Sequence, residues 1–251
     1  KKGYAKRVVY DRFGTRTGRL TVAEGPHILT LNRDRRDLIE SEYGANGCIL
    51  MLDFNALEPR TLFYESGNDC DADDLYRHLI ARLFEHPVSR DLVKGAVISI
   101  LYGFSRRHCA EKLNVTEAEA GDVIDRISKA FKLSELLKRL RSEHVKEKRI
   151  RNRYGRRLEV PDPADHILIN TYGQSSGVDV AMLGFSELVE RWKERRIRPL
   201  FIVHDALVID VHDDELPEVM STKRIVVHGY EQNFSLKCED FACTQTAQTV
   251  G

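Results

Sequence analysis

The sequence lacks a long hydrophobic run, a paired cysteine pattern and an excess of charge of either sign. Of its 251 residues, 42% are hydrophobic and 31% are charged, with 39 basic and 39 acidic side chains. No apolar stretch approaches the roughly 18 residues of a membrane-spanning helix, so we expect no membrane association. The hydrophobic fraction is large enough for a real core, which excludes disorder for most of the chain. Because the charges balance, a polyanion would have to bind at a local basic strip.

Cysteine usage and the first residues indicate the cellular setting. The five cysteines are odd in number and lack the Cys-x-x-Cys spacing of a zinc site; they are Cys48, Cys70, Cys109, Cys238 and Cys243. We interpret them as reduced thiols of an intracellular protein. The opening KKGYAKR has neither an initiator Met nor a secretory signal, so we expect a piece of a longer product.

Hydrophobic spacing predicts a helical middle section between regions that contain strands. The run CILML before Asp53 is typical of a buried strand, and PLFIVHDALVIDV predicts a hairpin with a polar tip. Residues 71–149 have a mostly helical pattern, and after Pro161 a further helix is predicted to run through VDVAMLGFSELVERW. From residue 215 onward the sequence is weakly patterned. We find no internal repeat.

Two carboxylates each stand beside a strongly apolar strand. Asp53 follows CILML, and Asp205 interrupts the predicted hairpin. Burial there is costly for a carboxylate unless a partner or a metal compensates. Taken singly, each is explained as a turn or capping residue. Side by side on one sheet, they would suit a two-metal phosphoryl-transfer site, and both interpretations stay open.

The segment SRDLVKGAVISILYGFS places four notable side chains along one face of a predicted helix. Arg90, Lys94, Ile98 and Tyr102 follow one another at intervals of four residues. Such a face can hold a triphosphate at one end and stack a sugar or base at the other. The alternative is an amphipathic helix with a basic first turn. Since cations at a helix N-terminus oppose the macrodipole, an anionic ligand explains them better.

Two further segments carry weaker signals for nucleic-acid binding. Asn170 and Gln174 could offer amide donors to base edges in a minor groove, although polar residues near a glycine are often loop. From Lys138 to Arg157 the chain carries ten basic residues against two acidic ones. This strip is either a solvated helix face or a phosphate-binding surface.

Together and in this order, these segments resemble the family A DNA polymerases, the group of bacterial DNA polymerase I and related phage enzymes. DFNALEPR is similar to motif A of that family, RDLVKGAVISILYG to motif B and VHDALVIDV to motif C. TGRL, YGRRLEVPD and the pattern N-x3-Q-x4-D, which ends at Asp179, are similar to auxiliary motifs. The resemblance covers residues 17–241.

The resemblance implies an α+β right-hand polymerase fold, with a palm built on an antiparallel sheet, helical fingers and a thumb that is largely absent. Residues 1–40 would form the end of the thumb and the lead into the palm. Residues 41–75 would form the palm with motif A, and 76–160 the fingers with motif B. Residues 161–251 would return to the palm with motif C.

The activity implied is template-directed addition of deoxynucleotides to a primer 3′ end. Asp53, Asp205 and the backbone carbonyl of Phe54 would hold two Mg²⁺ ions, and Lys94 would protonate the departing pyrophosphate. The implied nucleotide-binding residues are Arg90, Lys94, Ile98, Tyr102 and Glu58, of which Glu58 would exclude a ribose 2′-hydroxyl. The implied DNA-binding residues are Arg19, Arg60, Asn170, Gln174 and His204.

Several positions depart from the family pattern. Ile98 stands where the family usually has Phe or Tyr, and Ala206 replaces the Glu that usually follows the motif C Asp. Tyr76 stands where a phosphate-binding His is common. Ile98 puts the sugar contact and the handling of dideoxynucleotides in question. The Glu missing at Ala206 is interpreted as dispensable, because Asp53 and Asp205 keep the carboxylate pair.

The implied partners are primer–template DNA and dNTPs in a bacterial or phage-infected cytoplasm. A separate chain, or a region outside this sequence, would supply the thumb and a 3′–5′ exonuclease. Two alternatives are kept: a non-catalytic palm and fingers subunit of a split replication polymerase, or another two-metal nucleic-acid enzyme such as a nuclease.

Overall fold

Two units of the chain carry the predicted motifs, one built on an antiparallel sheet and the other mostly helical. In this computed structural model the described residues are Gly3 and 5–242. The sheet unit takes the described residues of 1–54, 181–228 and 234–251, and the helical unit takes 55–180 and 229–233.

The elements follow one another along the chain with short connections. In order they are β1 (Val9–Asp11), β2 (Thr21–Glu24), β3 (Gly47–Phe54), α1 (Leu57–Glu65), α2 (Leu75–Leu83), α3 (Arg90–Tyr102), α4 (Arg106–Leu113), α5 (Glu117–Ala130), α6 (Leu133–Glu147), β4 (Arg149–Arg151), β5 (Arg157–Glu159), α7 (Asp165–Arg191), β6 (Ile197–Val203), β7 (Ala206–His212), α8 (Leu216–Ser221), β8 (Arg224–Val226) and β9 (Asn233–Asp240).

A five-stranded sheet in the order β6-β7-β3-β9-β8 organises the sheet unit. β3 lies between β7 and β9 and pairs antiparallel with both, which follows from its nearly continuous apolar run. The Phe54 ring at the end of β3 packs against Phe185 of α7 and Phe234 of β9, with ring centroids 5.3 and 6.1 Å apart. These contacts fix the end of the strand that carries motif A.

The single tryptophan of the chain lies in the same unit. Trp192 follows the last residue of α7 and is 2% exposed. Its indole N–H donates a hydrogen bond of 3.4 Å to the carboxylate of Glu218 in α8. A buried Trp needs such a partner, because an unpaired N–H away from water is costly.

The helical unit surrounds α3, which contacts α2, α4 and α5. The local signals in the sequence account for the helix ends. Ser89 caps α3 by accepting a hydrogen bond of 3.1 Å from the backbone N–H of Leu92. A capping box of Thr116 and Glu119 begins α5. The helical middle section is therefore confirmed as α2 to α6.

The helix predicted after Pro161 is present as α7, which begins at Asp165, so the segment with Asn170 and Gln174 is helical rather than loop. Gly173 explains this, because a Cβ there would lie 3.3 Å from Leu62 of α1, and glycine lets the two helices approach. The weakly patterned segment after residue 215 contains α8, β8 and β9.

The sequence analysis predicted reduced cysteines and no membrane-spanning helix. Cys48, Cys70, Cys109 and Cys238 are free thiols, and Cys243 lies outside the described residues. In the part of the chain that the structure describes, no helix has both the length and the apolarity needed to cross a membrane.

Candidate active site

The sheet unit brings the two predicted carboxylates together. Asp53 lies in β3 directly opposite Ala206, the first residue of β7. Asp205 immediately precedes Ala206 in the two-residue turn between β6 and β7. Asp53 is a strand residue and caps no helix, so its interpretation as a turn or capping residue does not hold.

Burial and nearby negative charges destabilise the ionised form of Asp53. Burial of the carboxyl, followed by the like charges of Asp205 and Glu239, raises the pKa of Asp53 to about 7. Glu239 lies in β9 opposite Met51, and Lys237 lies directly opposite Asp53. Lys237 and Glu239 form an ion pair with each other. Sequence reasoning missed both, because nothing in the weakly patterned segment predicts its register against β3.

The oxygen atoms at this end of the sheet suit a hard divalent cation. Within residues 5–242, no group of three or more His, Cys, Asp or Glu side chains forms a metal-binding cluster. This end of the sheet instead offers two carboxylates, those of Asp53 and Asp205. Mg²⁺ is commonly held by one or two carboxylates together with water and substrate phosphates. The two carboxylates therefore fit a divalent-cation site that a substrate completes, rather than a closed structural site.

His204 occupies the turn beside Asp205 in an unusual backbone conformation. Its φ of 56° lies in the left-handed region, which costs a non-glycine residue free energy. The side chain is exposed. Strain of this kind persists where the surrounding structure holds it, here between two paired strands, and it often marks functional sites.

Helix α3 of the helical unit presents the four predicted side chains outward. Arg90, Lys94 and Tyr102 are exposed and Ile98 is half-buried, whereas the opposite face of the helix is buried. Gly103 ends the helix with a φ of 72°, and a Cβ at this position would lie 2.3 Å from the ring of His166. Only glycine fits both the conformation and the space.

Arg90 is held by two neighbours that sequence reasoning did not single out as a pair. Its Nε donates a hydrogen bond of 2.6 Å to Asp74, and its guanidinium lies 5.1 Å from the centre of the Tyr76 ring. Burial alone would raise the pKa of Asp74, but the hydrogen bonds from Arg90 and from the α2 backbone lower it. The sequence carried a signal for the anchor, since Asp74 immediately precedes α2 and an Asp is a favoured N-cap residue.

Glu58 lies in the same neighbourhood. It is a half-buried residue in the first turn of α1. Burial, together with the negative charges of Asp74 and Glu58, raises the pKa of Tyr76. Charges from two other helices, Arg90 of α3 and Glu58 of α1, therefore act on Tyr76 of α2.

A cavity of about 320 Å³ lies between α3 and α4, with Lys94 and Ile98 among its lining residues. Aromatic rings continue from it: Tyr102 stacks on Phe104 at 6.3 Å, and Phe104 lies 4.8 Å from His108. Flat rings of this kind offer stacking surfaces for bases. Phe104 and His108 were missed, because single aromatic residues after a helix carry no signal by themselves.

Asn170 and Gln174 lie one turn apart on α7. The amide nitrogen of Asn170 is buried and has no hydrogen-bond partner among the described residues. A buried donor without a partner is costly, so a ligand that accepts from it would be stabilised. Arg19 lies on the sheet unit instead, exposed in the loop between β1 and β2.

Arg60 is placed differently from the other predicted DNA-binding residues. It is 1% exposed, and all three of its guanidinium nitrogens donate hydrogen bonds within the helical unit. The acceptors include the carbonyls of Cys70, Ala72 and Asp73. The side chain thus braces the segment before α2 and has no donor directed to the surface.

The two auxiliary motifs of the helical unit are joined by polar contacts to one carboxylate. Asn152 donates a hydrogen bond of 2.7 Å to Asp179, and Arg156 forms an ion pair of 2.5 Å with the same carboxylate. Asp179 is 7% exposed. The carboxylate therefore ties the β4–β5 hairpin to α7, the helix that carries Asn170.

Ion pairs neutralise half of the basic strip. Five of its ten cations are paired with carboxylates: Arg141, Arg149, Arg151, Arg153 and Arg156. Lys138, Lys146 and Lys148 are exposed. This arrangement favours the solvated-face interpretation over a continuous phosphate-binding surface.

Known proteins are similar to this chain over nearly its whole length. A DNA polymerase I of Thermus filiformis is 23% identical across 92% of this chain, and one of Helicobacter pylori is 25% identical across 82%. A DNA polymerase of Bacillus phage SP01 is 26% identical across 84%. The chain spans only 31%, 26% and 27% of the lengths of these relatives.

The fold is also similar to a solved structure, the POL domain of Pol1 from M. smegmatis in complex with DNA primer-template and dNTP. The TM-score is 0.66 at 19% identity, with 94% of this chain and 48% of that chain covered. This similarity confirms the predicted α+β fold with an antiparallel sheet. The model of the family described as DNA polymerase family A matches residues 7–240. The chain therefore belongs to DNA polymerase family A.

Proposed function

We propose that this chain carries the polymerising centre of a template-directed DNA polymerase, which adds deoxynucleotides to a primer 3′ end. One observation carries the proposal: the pairing of Asp53 with Ala206 sets Asp205 beside Asp53 at one end of the sheet. Membership of the family supports the reaction class. The primer–template and dNTP that accompany the similar M. smegmatis domain support the choice of substrates.

Asp53, Asp205 and the carbonyl of Phe54 would hold two Mg²⁺ ions, which would supply charge neutralisation at the triphosphate and a lowered pKa of the primer hydroxyl. The raised pKa of Asp53 agrees with this role, because a carboxyl that is costly to ionise alone is stabilised by a cation.

Arg90 and Lys94 would bind the β- and γ-phosphates of the incoming nucleotide. The hydroxyl proton at the primer 3′ end passes to water, and the 3′-oxygen attacks the α-phosphorus. The bond from the α-phosphorus to the bridging oxygen of the β-phosphate breaks, and the ammonium of Lys94 gives a proton to the departing pyrophosphate. Tyr102 would lie at the template base, and Ile98 would contact the sugar. Glu58 would exclude a ribose 2′-hydroxyl.

The DNA contacts divide between the two units. Asn170 and Gln174 on α7 and Arg19 on the β1–β2 loop would contact the minor groove, and His204 the primer end. For Arg60 we propose a structural role, since its guanidinium is fully used inside the helical unit. A thumb and a 3′–5′ exonuclease would come from a separate chain or from sequence outside these residues. The location in a bacterial or phage-infected cytoplasm remains a prediction.

Primer extension with Mg²⁺ tests the proposal, with dNTPs compared with rNTPs. We expect extension with dNTPs only, and a loss of about 10³-fold or more in Asp205→Asn. Glu58→Ala is expected to admit rNTPs. Asp122→Asn is the matched control, because it removes an exposed carboxylate of α5.

Two other outcomes of the same experiment would support the two alternative functions. If the chain binds DNA with an affinity that added dNTP and Mg²⁺ do not change, and extends no primer, it would be a non-catalytic subunit. Cleavage of the DNA that depends on Asp53 and Asp205 would indicate a nuclease.

A further inference from the structure

Arg90, the first residue of α3, is held at a fixed position by α2. Its Nε donates to Oδ2 of Asp74 at 2.6 Å, and its guanidinium lies over the Tyr76 ring at 5.1 Å. The side chain of Arg90 remains 42% exposed and that of Asp74 is 28% exposed. The arginine is therefore anchored on one side and open to solvent on the other.

The anchor uses only part of the hydrogen-bonding capacity of the arginine. A guanidinium has five N–H donors, four of them on its two Nη nitrogens. In the described chain neither Nη nitrogen donates a hydrogen bond. Since both Nη groups lie on the edge that makes bidentate contacts to phosphate, binding to Asp74 and to a phosphate are compatible.

The anchor is itself rigid. Oδ1 of Asp74 caps α2 by accepting hydrogen bonds of 2.9 and 3.2 Å from the backbone N–H groups of Tyr76 and Arg77. The other oxygen is thereby left for Arg90. Tyr76 is 8% exposed, so its ring is fixed by packing. A free arginine would lose rotamer freedom on binding, and an arginine already held loses less.

We propose that Asp74 is a positioning residue for the incoming nucleotide, and that it acts by orienting Arg90 toward the triphosphate. The inference rests on the proposed function, because it assigns a device for binding the substrate of that reaction. Tyr76 contributes its ring face as the second support of the guanidinium. On the same helix face, Lys94 forms no ion pair within the part of the chain that the structure describes.

The test is single-turnover primer extension by the full chain, which separates the dNTP dissociation constant from the maximal rate. Asp74→Asn keeps the capping oxygen but cannot accept from Arg90 through its amide nitrogen. We expect a dissociation constant about tenfold higher and a maximal rate changed less than about twofold. Asp74→Ser keeps a capping hydroxyl and is expected to behave alike. Asp122→Asn is the control, because Asp122 accepts from an arginine Nε at 2.8 Å elsewhere.

A double-mutant cycle separates positioning from a structural role. If Asp74 acts through Arg90, Asp74→Asn has no further effect on nucleotide affinity in the Arg90→Ala background. Independent effects of the two substitutions would overturn the inference. So would tighter nucleotide binding in Asp74→Asn, since it would mean that Asp74 competes with phosphate.

Primer extension and dNTP binding by the wild-type chain distinguish a failure of this inference from a failure of the proposed function. Extension by the wild type together with unchanged affinity in Asp74→Asn would overturn the positioning role alone. A wild-type chain that neither extends a primer nor binds dNTP would overturn both.

Discussion

Asp53 shows how a single residue can oppose the fold that contains it. Its pKa in the folded chain is about 7, because of burial and the carboxylates around it, against about 3.9 in an unfolded chain. The folded state therefore binds the proton more tightly. Its contribution to stability is complete below about pH 4 and is lost as the pH rises toward 7.

We expect Asp53→Asn to stabilise the metal-free chain at pH 8 by about 1–2 kcal/mol, a figure reduced for solvent screening. The difference from the wild type should disappear at pH 4, where the aspartate is neutral. Urea titrations in EDTA at both pH values measure it. Asp122→Asn is the control, because it removes an exposed carboxylate that is paired with Arg126, and it should not stabilise the chain. Equal differences at both pH values would contradict the assignment to ionisation.

Gly103 provides a second test at the residue scale. Gly103→Ala must adopt a φ of 72° and displace the ring of His166, so we expect a loss of about 2 kcal/mol or more in the free energy of unfolding. Gly155 is the matched position, with a φ of 80° and no atom within 4 Å of an added Cβ. Gly155→Ala should cost about 1 kcal/mol. Equal losses at the two positions would show that His166 moves aside freely.

Among the elements, the β4–β5 hairpin depends on one carboxylate of α7. Asp179 binds both Asn152 and Arg156 and is nearly buried. We expect Asp179→Ala to cost about 3 kcal/mol, because it leaves a partly buried guanidinium without its partner.

The control for Asp179 is Glu111→Gln, which removes the exposed i,i+4 pair with Arg107 on α4. It should cost less than about 0.5 kcal/mol. Thermal and urea unfolding of both variants measure the two losses. Losses of similar size would indicate that the hairpin is held by its other contacts.

The separation along the chain between a residue and its partners explains which elements the sequence could predict. The ends of α3 and α5 depend on residues within four positions, such as Ser89 and Thr116, so their motifs were sufficient. The pairing of β9 with β3 joins segments far apart along the chain, and no local signal sets its register. The burial of Arg60 likewise depends on carbonyls of the loop before α2, which its motif does not include.

For the whole molecule, charge is balanced overall and the basic strip is half neutralised by its own ion pairs. We expect the triple variant Lys138→Gln, Lys146→Gln, Lys148→Gln to change the affinity for primer–template DNA by less than about twofold. The slope of log affinity against log salt should also stay unchanged, since each phosphate contact contributes about 0.9 to it. A slope reduced by about three would instead support phosphate binding by the strip.

The buried Trp192 gives this molecule a built-in optical probe. It is the only indole in the chain, and it lies in the sheet unit against Glu218. Its emission therefore follows the unfolding of that unit, whereas far-ultraviolet circular dichroism is dominated by helices, most of which lie in the other unit. Recorded on one denaturant series, the two signals would coincide if the chain melts as a single cooperative body. A separation of the midpoints would give each unit its own free energy of unfolding, without any label or substitution.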